Sequence, residues 1–225
     1  MKRILAPLII GALGAGILLW LGTWQMQRLA WKEGILSEIE TVIAGPPQPL
    51  PVLVDPSAQR YQPVMLTGAI EAEGLYVLVS VKRQGAGWRI VSSFVTDDGR
   101  RVLVDRGFTP VDQKDTPLAT GAVRLRGNLH WPDDRTSSTP ENDPAANTWF
   151  ARDIGAMAEA LRTEPLLVIA AEMSPPDAHV TPMPVDTSGI PNDHLQYAVT
   201  WFLLAAVWLL MTGLWITRSL KGKEG

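Results

Sequence analysis

The chain has 225 residues, room for one domain of moderate size with additional segments. Its 20 Lys and Arg stand against 23 Asp and Glu, a net charge of −3, so no surface suited to nucleic acid is expected. There is no cysteine, which excludes disulfide exchange, iron–sulfur ligation and thiol-based copper transfer.

The first element is a charge-free apolar stretch between Arg3 and Arg28, greasiest from Ile4 to Leu21. A hydrocarbon layer of roughly 30 Å takes about 20 helical residues, so residues 4–22 are expected to form a transmembrane helix. A cleaved signal peptide fits less well, because its apolar region runs about 7–15 residues and ends in a small-x-small site. Here the run flows into Trp20, Trp24, Gln25, Met26 and Gln27 without one. Helical spacing continues through Trp31, Lys32, Ile35 and Ile39 and stops before Gly45-Pro46-Pro47. Residues 46–56 read as an extended, proline-stiffened linker.

Short β-prone runs follow at residues 61–70, 75–81, 88–96, 101–108 and 123–130. The third and fourth flank Asp97-Asp98-Gly99-Arg100, where Asp-Gly predicts a tight hairpin. Val123 to His130 alternates apolar and basic residues, as a strand with one wet face does. Phe150, Ile154, Met157, Ala158 and Leu161 predict a helix over 149–162, and residues 165–171 a further buried strand. Polar loops interrupt these elements at 110–121, 132–147 and 174–192.

The last element is a second charge-free span between His194 and Arg218, expected to cross the membrane over residues 196–216. The expected fold is therefore a membrane-anchored α+β protein. Two terminal transmembrane helices flank an exported, mainly antiparallel β domain with one helix, residues 23–195, whose sheet curls into a partial barrel. Lys2 and Arg3 precede the first span, and Arg218, Lys221 and Lys223 follow the second. The positive-inside bias then makes 1–3 a cytoplasmic tip and 217–225 a cytoplasmic tail. Arg28 and Lys32 lie on the supposed outer side, against that bias. With no Arg- and Ser-rich transit peptide ahead of it, the expected location is a bacterial inner (plasma) membrane with a periplasmic domain.

Motifs for catalysis are scarce. No Gly-x-Ser-x-Gly elbow, phosphate-cradling glycine loop or His-Glu-x-x-His occurs, so no enzymatic activity is expected. Asp97-Asp98 and Asp133-Asp134 read as solvated turn residues. Met173 and Met183 are soft enough for copper, but methionines in such a loop read more simply as gap fillers. Of the three histidines, His130, His179 and His194, only the last stands at the mouth of a span. Helical spacing puts His194, Tyr197, Trp201, Ala205 and Trp208 on one face. An axial haem ligand beside a flat apolar slot needs that combination, although an interfacial aromatic belt needs it too. The first span offers a matching stripe of Trp20, Trp24, Gln27, Arg28 and Trp31, whose cations suit either porphyrin carboxylates or lipid headgroups.

Three segments carry a resemblance. Gly22-Thr23-Trp24-Gln25-Met26-Gln27-Arg28-Leu29-Ala30-Trp31-Lys32 is similar to the N-terminal signature of the Surfeit-locus family of cytochrome c oxidase assembly factors. Val104-Asp105-Arg106-Gly107-Phe108-Thr109-Pro110 resembles its central Arg-Gly-aromatic segment, and His194-Leu195-Gln196-Tyr197-Ala198-Val199-Thr200-Trp201-Phe202 its C-terminal signature. The order, the two terminal spans and the exported middle match as well. One departure is Asn192-Asp193, where the family pattern leads one to expect Asn-Asn.

The resemblance implies a chaperone in respiratory-chain biogenesis that binds haem a and assists its insertion into the catalytic subunit of a haem-copper cytochrome c oxidase. It implies His194 as axial ligand to the haem iron. Tyr197, Trp201 and Trp208 would flank the ring, Trp24 would approach from the first span, and Arg28 and Lys32 would pair with the propionates. The implied partners are that catalytic subunit, the haem a synthesis machinery and membrane lipid. The alternative is a scaffold that stabilises the unassembled oxidase subunit with no direct haem-carrying role.

Overall fold

A computed structural model describes residues 2–221, with side chains from 4 to 220. Met1, residues 222–225 and the side chains of Lys2, Arg3 and Lys221 lie outside the described residues, and with them most of the two expected basic tips. The chain divides into two compact units, one of Ile39–Asp186 and one of Met1–Glu38 with Thr187–Gly225.

In chain order the elements are α1 (Lys2–Ile43), β1 (Gln48–Pro49), α2 (Pro56–Gln59), β2 (Pro63–Val81), β3 (Gly85–Thr96) and β4 (Arg101–Pro110). A 3₁₀ turn over Val111–Gln113 leads to β5 (Gly121–His130), α3 (Ile154–Leu161), β6 (Leu167–Ser174) and α4 (His194–Lys221). The strand order is β1-β2-β3-β4-β6-β5, and β5 also pairs with β2, so five strands close on themselves. The expected partial barrel is thus a closed one, antiparallel except for β4 beside β6 and the two-residue β1 beside β2.

β2 makes closure possible. It pairs with β5 through Pro63–Ile70 and with β3 from Gly68 to Val81, shifting register between Ile70 and Gly74. The sequence reads as two strands with a break at Glu71-Ala72-Glu73, because that patch is polar. The backbone stays extended there and bends around the barrel, which is what a bulge does. The expected hairpin forms, with Gly99 at φ +86° and the Thr96 amide donating to Arg100 O at 2.9 Å.

The core has two layers. Val64, Leu66, Phe94, Val102, Val104, Leu125, Leu129 and Val168 fill the barrel, while Leu103, Leu167 and Ile169 on the opposite strand faces pack with Met157 and Leu161 of α3. β4 and β6 are therefore buried on both sides, which explains their near-continuous apolar runs.

α3 is shorter than the expected 149–162. Trp149 bridges to Val77, exchanging backbone bonds with Tyr76 and Leu78 at 2.9 and 2.8 Å. The helix starts only where Asp153 caps it by accepting from the Ala156 amide at 3.1 Å. The linker also holds more structure than its prolines suggest, with β1 beside Val64 and Met65 and a short α2 capped by Asp55.

In the other unit, α1 continues past the expected span, as the helical spacing through Ile39 predicts. It runs unbroken for 42 residues, about 63 Å at 1.5 Å per residue, so residues 23–38 belong with the helical unit rather than with the barrel. α1 and α4 are both long and apolar enough to cross a membrane, and most of each apolar window is exposed.

Candidate functional site

α1 and α4 run antiparallel within their unit, and small residues on α1 receive bulky ones from α4. A side chain added at Gly11, Gly14 or Gly22 would enter Thr212, Trp208 or Phe202 respectively. Close backbone approach at glycines is how helices gain contact where the surroundings are as apolar as they are. Trp208 Nε1 also donates to Gly11 O at 3.0 Å, a hydrogen bond across the seam.

At the other end of the seam stands His194, the first residue of α4 and half-buried. Its Nδ1 lies 2.8 Å from Gln25 Oε1 on α1. Among the described residues no hydrogen bond reaches its Nε2. Gln25, Arg28, Leu29 and Lys32 follow helical spacing along one α1 face, with Leu29 buried and the others half-buried. The Arg28 guanidinium sits 4.1 Å over the Trp31 ring, a cation–π contact within its own helix.

The expected site residues thus separate. His194 meets Gln25 at the end of the seam, Arg28 and Lys32 are half-buried on the Gln25 face of α1, and Trp201 is half-buried on α4. Tyr197 and Trp24 turn outward, 56% and 43% exposed, while Ala198 and Ala205 are the α4 residues buried at 1% exposure. Trp208 is committed to Gly11. Gln25 was absent from the expected set, although it stands inside the quoted N-terminal signature one residue from Trp24.

Among the described residues no group of three His, Asp or Glu could hold a metal. An axial haem position instead needs one imidazole with a nitrogen to spare, and the other nitrogen held by an acceptor. His194 with Gln25 meets that requirement.

The central motif does a different job. Asp105 and Arg106 are fully buried. Asp105 accepts from Arg89 Nε at 2.7 Å and from Arg152 Nη1 at 3.3 Å, while Arg106 pairs with buried Asp177 and donates to Ala119 O at 2.7 Å. Gly107 has φ +121°, and a Cβ there would collide with the carbonyl of Thr181. Phe108 and Thr181 exchange backbone bonds of 2.8 Å each way, and Arg89 donates to Met183 O at 3.2 Å. The motif therefore straps residues 177–183 onto β4. Burial pulls the Arg106 guanidinium below its ordinary range, against the pull of Asp177.

Asp134 is no free turn residue either. Burial works against its charge, but hydrogen bonds from Arg152 at 2.6 and 3.0 Å outweigh that and hold its carboxyl below the usual range. His130 lies tilted against Tyr61 with ring centroids 5.4 Å apart, and its buried Nδ1 has no partner among the described residues. Burial and then the cation of Arg152 push it down to about 4.

Residues 12–206 match the model of the SURF1 family. The chain is 32% identical over 212 residues to Surfeit locus protein 1 of Xenopus tropicalis, covering 83% of this chain and 68% of that one. Surfeit locus protein 1 of Homo sapiens is 32% identical with 83% and 69% covered, and the SURF1-like protein of Drosophila melanogaster 28% identical with 83% and 69%.

Proposed function

From its membership of the SURF1 family, to which this chain belongs, we propose that the protein is an assembly factor for cytochrome c oxidase that binds haem a at His194. The observation that carries the haem-binding part is the imidazole at the start of α4, with Nδ1 against Gln25 and no described partner for Nε2. His194 would supply the axial nitrogen, and Arg28 and Lys32 the cations near the propionates. Haem a carries a long apolar tail that water rejects, and exposed Leu, Ile, Val and Trp along α1 and α4 offer a surface for it beside lipid. When bound, the haem would be cargo for the catalytic subunit of the oxidase, and the chain itself would catalyse nothing.

Both helices would span a bacterial inner membrane, with the barrel in the periplasm and both termini in the cytoplasm. An apolar helix in a water-soluble core would be mostly buried, whereas the apolar windows of α1 and α4 are 17% and 6% buried. The chain has no cysteine, so single introduced ones report cleanly. A cysteine at Ser138 should react with an impermeant thiol reagent from outside and one at Ser219 should not. The reverse pattern would invert the topology.

Deletion of the protein should lower the activity of haem-a oxidases, with haem missing from the catalytic subunit, and leave haem-b quinol oxidases intact. Normal activity and a fully haem-loaded subunit in the deletion strain would reject the assembly role.

A further inference from the structure

We propose that Gln25 is a positioning residue that fixes the tautomer of His194 and so keeps Nε2 available as the axial ligand, a proposal that rests on the haem reading above. A neutral imidazole carries its proton on one nitrogen, and only the unprotonated one binds iron. The choice belongs to the hydrogen bond at the other nitrogen. Gln25 presents Oε1 at 2.8 Å from Nδ1, an acceptor that draws the proton to Nδ1 and leaves a lone pair on Nε2. The opposite amide orientation would donate to Nδ1, put the proton on Nε2 and block ligation.

Three features of the site favour this arrangement. Gln25 and His194 are both half-buried and flanked by buried Leu29 and Ala198, so few waters compete for the same nitrogen. An amide is neutral. It therefore selects a tautomer without stabilising the imidazolium, which a carboxylate at the same place would do. The two residues come from different helices, so the bond also ties ring orientation to the α1–α4 seam that Gly11, Gly14 and Gly22 set.

The tautomer is measurable without haem. In detergent-purified protein labelled with ¹⁵N-histidine, His194→Ala identifies the His194 signals among the three histidines. The parent should carry its proton on Nδ1, Gln25→Glu should keep it there, and Gln25→Leu should lose the bias. With haem a bound, Gln25→Leu should weaken retention about 10–100-fold, as removing the partner of a ligating histidine does, and raise the midpoint potential. Gln25→Glu should retain haem and lower the potential, because a charged acceptor makes the imidazole a stronger donor. A parent with its proton on Nε2 overturns the proposal. A haem-bearing parent whose tautomer, retention and potential ignore Gln25→Leu also overturns it, and leaves His194 as ligand untouched. A parent that takes up no haem a overturns the haem reading together with the role given to Gln25.

Discussion

The barrel unit and the helical unit treat their signature residues in opposite ways. In the barrel, Asp105, Arg106 and Asp177 are withdrawn from solvent and ion-paired, Asp105 with Arg89 and Arg152 and Arg106 with Asp177, and Gly107 admits the Thr181 carbonyl where any side chain would exclude it. In the helical unit, Trp24 and Tyr197 face outward, and the polar residues that do meet, Gln25 and His194, make one bond, with no partner for the second ring nitrogen among the described residues. A charge that is buried and ion-paired has spent its chemistry on the fold. A half-buried imidazole with an unused nitrogen has not. Residues of one family signature can therefore serve quite different ends, and burial with partner count separates them better than the identity of the residue does.

Breaking the barrel's internal pairing gives the largest expected effect. Asp177→Ala leaves Arg106 buried and unpaired, which costs about 3–5 kcal/mol of stability, measurable as a lower midpoint in denaturant for the sheet signal. A loss below about 1 kcal/mol would mean that the pair is not buried in solution. Gly107→Ala comes next. Strain at φ +121° together with the contact on Thr181 should cost about 2–3 kcal/mol in the same measurement. Neither change should alter the spectrum of haem bound by the protein that still folds. A shifted Soret band in either variant would blur the division of labour between the two units.

A smaller effect comes from pH. His130 is held near 4 in the folded chain, below its ordinary value near 6.5, so between these values the unfolded chain binds a proton that the folded chain refuses. Stability contributed this way is present above about 6.5 and is lost as pH falls toward 4. Allowing for solvent screening at a partly exposed ring, the loss is about 1–2 kcal/mol. His130→Phe should flatten the dependence of the barrel's melting temperature over that range. An unchanged slope would locate the acid sensitivity elsewhere.

Much of the barrel was legible from sequence because strands announce themselves locally. Alternation placed Val123–His130, and Asp-Gly placed the hairpin between β3 and β4. Closure was not legible, since it depends on β2 pairing with β5 some 60 residues away, Val64 opposite Gly127, and no local pattern carries that register. Trp149 was misread because it shares helical spacing with Phe150 to Leu161, and only a long-range bridge to Val77 removes it from the helix. At the site, Tyr197 and Ala198 are three and four residues beyond His194 and equally good candidates for its face. Helical spacing placed Tyr197 on the His194 face, but close packing at the seam selects the smaller alanine, 1% exposed. Gln25 was passed over for a similar reason, being a plain amide among tryptophans whose part depends on which residue the partner helix puts opposite it.

The central claim is that the helical unit holds haem a through one nitrogen of His194, and the visible spectrum tests it most directly. Protein purified in detergent from haem-a-producing cells should carry a Soret band. Arg28→Ala should weaken retention by no more than about 1 kcal/mol and in a salt-dependent way, since a partly exposed ion pair contributes little more. His194→Ala should abolish the band or strongly shift it, while His179→Ala behaves like the parent. An unchanged Soret band and haem stoichiometry in His194→Ala would remove His194 from the site and leave the protein as a scaffold for the unassembled oxidase.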